Sequence, residues 1–349
     1  MTFTIQSIQF YPYCLTFKEP FKTAMGIISD REGFVIEIGD DQSCIGWGEA
    51  APFAGFGMES LAETAIALNE AKRSLINAKI NAKIEDLNDL ENLLARYNHT
   101  PAAKHGLELA LLNLLVHHLP IHHTERSLSH LLAAHFGNPV RDFVPVNAVI
   151  GAVSPNFAAI KAKEYLDQGF SCLKIKVGTD DFEADLQRIL AVRSLVGDHG
   201  QIRIDANQGW SVQEAIANLK RLEFLQIEYV EQPVIAGDLL GMAEVRRSQA
   251  ILIAADESVN NLTQLQQVID TQAADIIILK PMALGGILTA YRAAMLSLQS
   301  GLDVVVTTTI DGAIAREAAF SLAAALPIKR ACGLATGNLF IEPPPPIQL

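Results

Sequence analysis

Cysteines are few and scattered. Cys14, Cys44, Cys172 and Cys332 form no CxxC pair and no dense framework, which excludes a disulfide-stapled module and reads as buried thiols of a reducing compartment. Basic residues are in deficit: 27 Lys and Arg face 39 Asp and Glu, for a net charge of −12. A broad nucleic-acid or anionic-membrane surface is thereby excluded, because phosphate binding needs clustered cations. Long apolar runs are missing too. The longest, Leu107 to Val116, is interrupted by Glu108 and Asn113 and is too short to span a bilayer. The first residues, MTFTIQSIQFYPY, lack the basic start and apolar block of a secretory leader. Neither GxSxG nor GxxxxGK[ST] occurs, so a serine hydrolase or P-loop enzyme has no support. What is present is a 349-residue chain, 50% hydrophobic and only 19% charged, enough to build a large core. The expectation is a compact cytoplasmic enzyme.

Two regions read differently. Residues 3–13, 33–38 and 44–48 alternate or carry β-branched residues, with Gly39-Asp40-Asp41 as turn chemistry before the last. Helical patterns follow at 59–78, 86–97 and 101–118. Strands followed by helices predict an α+β domain. From about residue 145 the pattern becomes rhythmic. Short β-rich runs recur at 145–151, 172–178, 202–207, 227–233, 251–258, 275–281 and 303–309, with a weaker one at 332–337. Helix-like stretches lie between them, among them 155–168, 181–196, 211–224 and 285–299. Five runs end in a charged residue, Lys176, Asp205, Glu231, Asp256 and Lys280, at separations of 29, 26, 25 and 24. That spacing is one strand, one helix and two loops. The predicted fold class is α/β, a (β/α)8-type barrel (a modified TIM barrel) over residues 126–322. An N-terminal α+β capping domain over 1–125 is completed by the tail from about 323 to 349.

Apolar strands that end in charge point to chemistry, because parallel barrel strands place their C-terminal ends on one face. Residues i and i+2 share a strand face, so Lys174 aligns with Lys176 and Asp205 with Asn207. Three carboxylates on successive strands would repel one another in a low-dielectric cavity, and a divalent cation removes that cost. Oxygen-only ligands select Mg2+, with Mn2+ an alternative, over Zn2+. An ammonium beside such a cation loses its proton more readily and suits a base near neutral pH. The cation in turn stabilises the enediolate of a carbon acid next to a carboxylate.

The KxK at 174–176, DxN at 205–207, ExP at 231–233, DES at 256–258 and KP at 280–281 resemble the enolase superfamily, muconate-lactonizing subgroup. A Lys base with Mg2+ is the general pattern of that superfamily. The resemblance implies Asp205, Glu231 and Asp256 as metal ligands, Lys176 as acid/base on one face, Lys280 on the other, and Lys174 and Asn207 in support. No His follows His199, which disfavours the branch with a histidine base.

The cap segment GWGEAAPFAGFGMES at 46–60 is similar to the corresponding loop of o-succinylbenzoate synthases. Phe53 and Phe56 there read as an apolar lid. Segment 21–34 resembles the family's other specificity loop, where Arg31 would meet a substrate carboxylate or pair with a neighbouring acid. Thr307, Thr309, Asp311 and Gly312, after the seventh strand, offer further donors for a carboxylate. The resemblance implies Mg2+-dependent dehydration of 2-succinyl-6-hydroxy-2,4-cyclohexadiene-1-carboxylate to 2-succinylbenzoate, in menaquinone or phylloquinone biosynthesis. N-succinylamino acid racemase and dipeptide epimerase activities are the alternatives within the superfamily. The strand-eight segment lacks the DxD pattern of the dipeptide epimerases. A non-catalytic barrel binding protein is the alternative of another class, and it predicts a missing lysine or ligand. The expected partner is a small-molecule carboxylate, not nucleic acid or membrane; oligomeric state is left open. The histidines of HHLPIHH at 117–123 read as a surface loop between cap and barrel, and Pro343–Pro346 as a frayed tail.

Overall fold

The alternating N-terminal segment forms strand β1 (Thr2–Thr23), antiparallel to β2 (Gly26–Asp40), which pairs in turn with β3 (Ile45–Ala50). The computed structural model describes residues 2–23, 26–81, 87–119, 126–179, 181–198 and 200–341. The first hairpin is longer than expected. Leu15 lies opposite Arg31, Thr16 opposite Asp30 and Thr23 opposite Gly26, so residues 21–23 and 26–34 lie in paired strands where a loop was expected. Helix α1 (Leu61–Ser74) opens on a capping box between Ser60 and Glu63. After it, β4 (Lys79–Asn81) joins the sheet beside β1, giving the order β3-β2-β1-β4. Helices α2 (Leu87–Leu94) and α3 (Pro101–His118) complete the cap.

Helix α3 lies against β3 at backbone contact distance. A Cβ on Gly48 would come within 1.9 Å of the Gly106 carbonyl oxygen, so glycine at that position is what lets helix and sheet meet. His117 and His118 close α3, but His118 is 6% exposed and its ring stacks on Phe3 at 4.6 Å. The surface-loop reading therefore does not hold for His118: the last helical turn faces the sheet. His122, His123 and Pro343–Pro346 lie outside the described residues.

After α4 (Leu128–Phe136) the βα rhythm begins. Strands β5 (Ala148–Ile150), β6 (Cys172–Lys176), β7 (Gln201–Asp205) and β8 (Ile227–Glu231) alternate with α5 (Pro155–Asp167), α6 (Phe182–Val196) and α7 (Val212–Leu222). There follow α8 (Leu239–Arg247), β9 (Leu252–Ala255), α9 (Leu262–Asp270), β10 (Ile276–Leu279), α10 (Ile287–Gln299), β11 (Asp303–Val306) and α11 (Ala313–Ala325). The seven strands form one parallel sheet in chain order, as apolar strands with crossover helices require.

The eighth strand is two residues long. Cys332 bridges Val146 on the β5 side, and Gly333 bridges Thr307 on the β11 side. That segment closes the curled sheet into a barrel, followed among the described residues by a 3-10 turn, Ala335–Leu339, and no further α-helix. Its floor is fastened by Arg203, fully buried, which pairs with Glu228 at 2.6 Å and donates to the Ala331 carbonyl at 2.6 Å. The segment from residue 323 onward divides. The end of α11 and Cys332–Gly333 belong to the barrel, whereas Phe340 bridges Phe17 and the Ile341 amide donates to the Thr16 carbonyl in the cap.

Candidate active site

Lys176, Asp205 and Glu231 stand side by side because their parallel strands are in register at their C-terminal ends: Lys176 opposite Asp205, and Asp205 opposite Glu231. Asp256 and Lys280 each stand one residue beyond the ends of β9 and β10. All five charges thus gather at one barrel mouth. β6 is the second strand and β10 the sixth of eight, so Lys176 and Lys280 enter from opposite walls.

The charges are desolvated and paired. The side chains of Asp205, Glu231 and Asp256 are 1%, 3% and 4% exposed. Lys174 Nζ bridges Asp205 Oδ2 at 3.0 Å and Glu231 Oε1 at 2.9 Å. Burial opposes its charge, yet the two carboxylates prevail and hold the ammonium well above the usual lysine range. Lys176 Nζ donates to Asp205 Oδ2 at 2.7 Å and to Asn207 Oδ1 at 2.5 Å. Asn207 also donates to Glu257 Oε1 at 3.1 Å. Burial works against the Asp205 carboxylate as well, but Lys174 and Lys176 overcome it and hold the group below the ordinary range. Glu231 goes the other way, raised by burial and by the charge of Asp205. Asp256 is raised by burial, against the pull of Lys280.

Lys280 is held differently. Its Nζ reaches both Asp256 oxygens at 2.5 Å and lies 3.6 Å from the centre of the Phe56 ring, the contacts of a charged ammonium against a carboxylate and an aromatic face. The ring belongs to a short 3-10 turn, Ala54–Phe56, so the cap segment read as a lid covers the Lys280 wall. Phe53 packs 5.3 Å from Phe56 and faces the Arg31 guanidinium at 5.2 Å.

Three buried carboxylates from adjacent strands, with no nitrogen or sulfur ligand among them, fit a hard divalent cation. The ammoniums of Lys174, Lys176 and Lys280 supply neutralising charge to these carboxylates. Asp205, Glu231 and Asp256 are the residues that would hold a metal.

The remaining predicted residues are placed around the mouth, with their donors engaged inside the fold. Arg31 is 3% exposed and donates to the carbonyls of Ala51, Pro52, Glu32 and Ile310. It ties the cap loop to the loop after β11. The Thr307 hydroxyl donates to the Gly333 carbonyl at 2.9 Å and steadies strand eight. The hydroxyl of Thr309 bonds Asp311. The Gly312 amide donates to Glu49 Oε1 at 2.6 Å, and those of Ile314 and Ala315 to Glu49 Oε2 at 3.1 Å.

Glu49 itself escaped the sequence reading. This buried acid of β3 caps the first turn of α11 and accepts from the Tyr13 hydroxyl at 2.7 Å, so a cap carboxylate holds a barrel helix by its positive end. Its only signal was an acid following the apolar-glycine run of GWGEA. Gln232 was missed as well. It is fully buried at φ 38°, and its Oε1 accepts from the Asp256 amide at 3.0 Å and the Ser258 amide at 3.2 Å. That fixes the strand end carrying Asp256. The signal was a polar residue between Glu231 and Pro233 where an apolar one would pack.

Comparison with known proteins agrees with this geometry. Residues 158–342 match the family described as Enolase C-terminal domain-like, and residues 5–114 the family described as MenC, N-terminal domain. The L-Ala-D/L-Glu epimerase of Bacillus subtilis is 34% identical over 88% of this chain and 81% of its own. A substrate-liganded structure of the L-Ala-D/L-Glu epimerase from that organism superposes with a TM-score of 0.88 at 30% identity, covering 97% of this chain and 92% of the other. The o-succinylbenzoate synthase of Thermobifida fusca is 42% identical, but over 58% of this chain and 62% of its own. The N-succinyl-L-Arg/Lys racemase of Bacillus cereus is 28% identical over 91% of this chain and 84% of its own. With the barrel, the cap and the ordered lysine and carboxylate strand ends in place, the chain belongs to the enolase superfamily, in its muconate-lactonizing subgroup.

Proposed function

We propose that this enzyme is a Mg2+-dependent o-succinylbenzoate synthase of the cytoplasm. It would remove water from 2-succinyl-6-hydroxy-2,4-cyclohexadiene-1-carboxylate to give 2-succinylbenzoate for menaquinone or phylloquinone. The observation that carries this reading is the match of residues 5–114 to the MenC N-terminal domain, because the cap covers the mouth and contacts what enters it. The Thermobifida fusca relative supports it over the part of the chain that it covers.

The two lysines divide the work. Lys176, 23% exposed and donating to Asp205 and Asn207, faces the mouth as the acid/base. It takes the proton from the carbon bearing the carboxylate, then delivers it to the departing hydroxyl, so one base serves both halves of the elimination. Lys280, clamped as a cation between Asp256 and Phe56, stabilises the negative charge developing on the substrate carboxylate. Lys174 stays charged and balances Asp205 and Glu231. Asp205, Glu231 and Asp256 would hold Mg2+, which would supply Lewis-acid stabilisation of charge on the substrate carboxylate. Phe53 and Phe56 exclude water over the site.

A second reading rests on the full-length relatives, which are epimerases and a racemase. Dipeptides carry an ammonium that needs a carboxylate partner, and residues 332–336, Cys-Gly-Leu-Ala-Thr, offer none at the end of strand eight. N-succinyl amino acids carry no such ammonium and fit better as the second substrate class. A panel assay with Mg2+ separates the readings. Dehydration of the cyclohexadiene at the highest kcat/KM supports the proposal. Racemisation of N-succinyl amino acids or epimerisation of dipeptides, without dehydration, refutes it.

A further inference from the structure

One cluster of ligand-bearing side chains lies far from the barrel mouth. Asp40 ends β2, Cys44 immediately precedes β3, and His118 ends α3. Their candidate ligand atoms, a carboxylate oxygen, a thiol sulfur and an imidazole nitrogen, all lie within 4.8 Å of one another. No other trio of this kind occurs among the described residues. We propose that Asp40, Cys44 and His118 form a second metal site, for a borderline-soft transition ion of the Zn2+ type, that clamps the end of α3 to the β2–β3 hairpin.

The turn is built to present these groups. Asp40 Oδ1 accepts from the amides of Gln42 at 2.9 Å and Cys44 at 2.8 Å, while the Asp40 amide donates to the Cys44 carbonyl at 3.1 Å. These bonds fix the carboxylate by one oxygen and turn the other, Oδ2, toward His118 Nε2, which it contacts directly. The imidazole is in turn fixed by stacking on Phe3, at 18° between ring planes. Asp40 and His118 are buried, and Cys44 is half-buried. The exposed Asp41, Gln42 and Ser43 beside them leave a short path for an ion from solvent.

The donor set decides the class of ion. One sulfur, one nitrogen and one carboxylate oxygen suit tetrahedral Zn2+ or Co2+, with water as the fourth ligand. They do not suit Mg2+, which takes oxygen in octahedral geometry. An entering ion would replace the direct Asp40–His118 contact, and the Cys44 thiol proton would leave to solvent. Arg31, further back along β2, is nine residues from Asp40, which is about 30 Å of strand. The site is thus independent of the barrel carboxylates and of the function proposed for them.

The test uses the full chain with Mg2+ in excess, titrated with Co2+. One Co2+ per chain is expected, with a sulfur-to-cobalt charge-transfer band and the visible bands of tetrahedral cobalt. Cys44→Ser should lose the charge-transfer band and Cys14→Ser should keep it. His118→Gln should bind about tenfold or more weakly. X-ray absorption of the Zn2+-loaded wild type gives a check that needs no variant: one sulfur at about 2.3 Å among N/O neighbours at about 2.0–2.1 Å. No charge-transfer band at saturating Co2+, its persistence in Cys44→Ser, or a zinc shell without sulfur would each overturn the assignment.

Discussion

Glu108 is a buried acid at the junction of cap and barrel, and replacing it with Gln tests the electrostatic reading of that junction. Its Oε1 accepts from the Leu288 amide at 3.0 Å at the start of α10, while its Oε2 meets no partner among the described residues. Burial, against the opposing pull of that helix end and of Lys104, pushes its carboxyl from 4.5 up to about 7. The folded state therefore binds the proton more tightly than the unfolded chain does. Stability from this group is full below the unfolded value, and it falls as pH rises from about 4.5 to about 7. At 1.36 kcal/mol per pKa unit the loss reaches about 3 kcal/mol by about pH 8. Gln keeps the acceptor for Leu288 and never ionises. Urea unfolding of both proteins at about pH 5 and about pH 8 measures the difference. Glu108→Gln should gain about 2–3 kcal/mol relative to wild type between the two pH values. A stability difference that does not change with pH would refute the reasoning.

Other outcomes follow from the same geometry. Lys280→Met should lower kcat for dehydration by about 10²–10³ yet leave it measurable, because the group acts by charge and not as the base; steady-state kinetics decide, and complete loss would make Lys280 an obligatory proton carrier. Gly48→Ala drives a methyl group to 1.9 Å from the Gly106 carbonyl oxygen, so it should cost about 3 kcal/mol or more. Thermal unfolding checks this, and an unchanged Tm would mean that α3 and β3 can move apart.

Much of this was legible because the signals are local. The even spacing of Lys176, Asp205, Glu231, Asp256 and Lys280 is one βα unit repeated. In-register parallel strands turn that spacing into a ring at one mouth. Helix α3 begins and ends where the sequence pattern placed it, from Pro101 to His118, because Pro at a first turn and a sustained apolar face are strong signals. Strand eight was faint for a physical reason. Only Cys332 and Gly333 bridge its neighbours, and the rest of CGLATG enters a 3-10 turn at Ala335. Partners far apart in the chain were not legible at all. Glu49 meets Gly312, and Arg31 meets the Ile310 carbonyl, across more than 260 residues. No local pattern specifies which buried acid caps which distant helix. Arg31 shows the consequence: its residue type suits a substrate carboxylate, while its surroundings supply four carbonyls.

The central claim is a metal-dependent proton abstraction performed by Lys176. The most direct measurement is the dehydration rate of the cyclohexadiene carboxylate with wild type and Lys176→Ala, each with Mg2+ and after EDTA. The account predicts turnover only for wild type with Mg2+, and a loss of about 10³-fold or more in Lys176→Ala while its fold, by circular dichroism, is kept. Dehydration by Lys176→Ala at the wild-type rate, or turnover that survives EDTA, would contradict it.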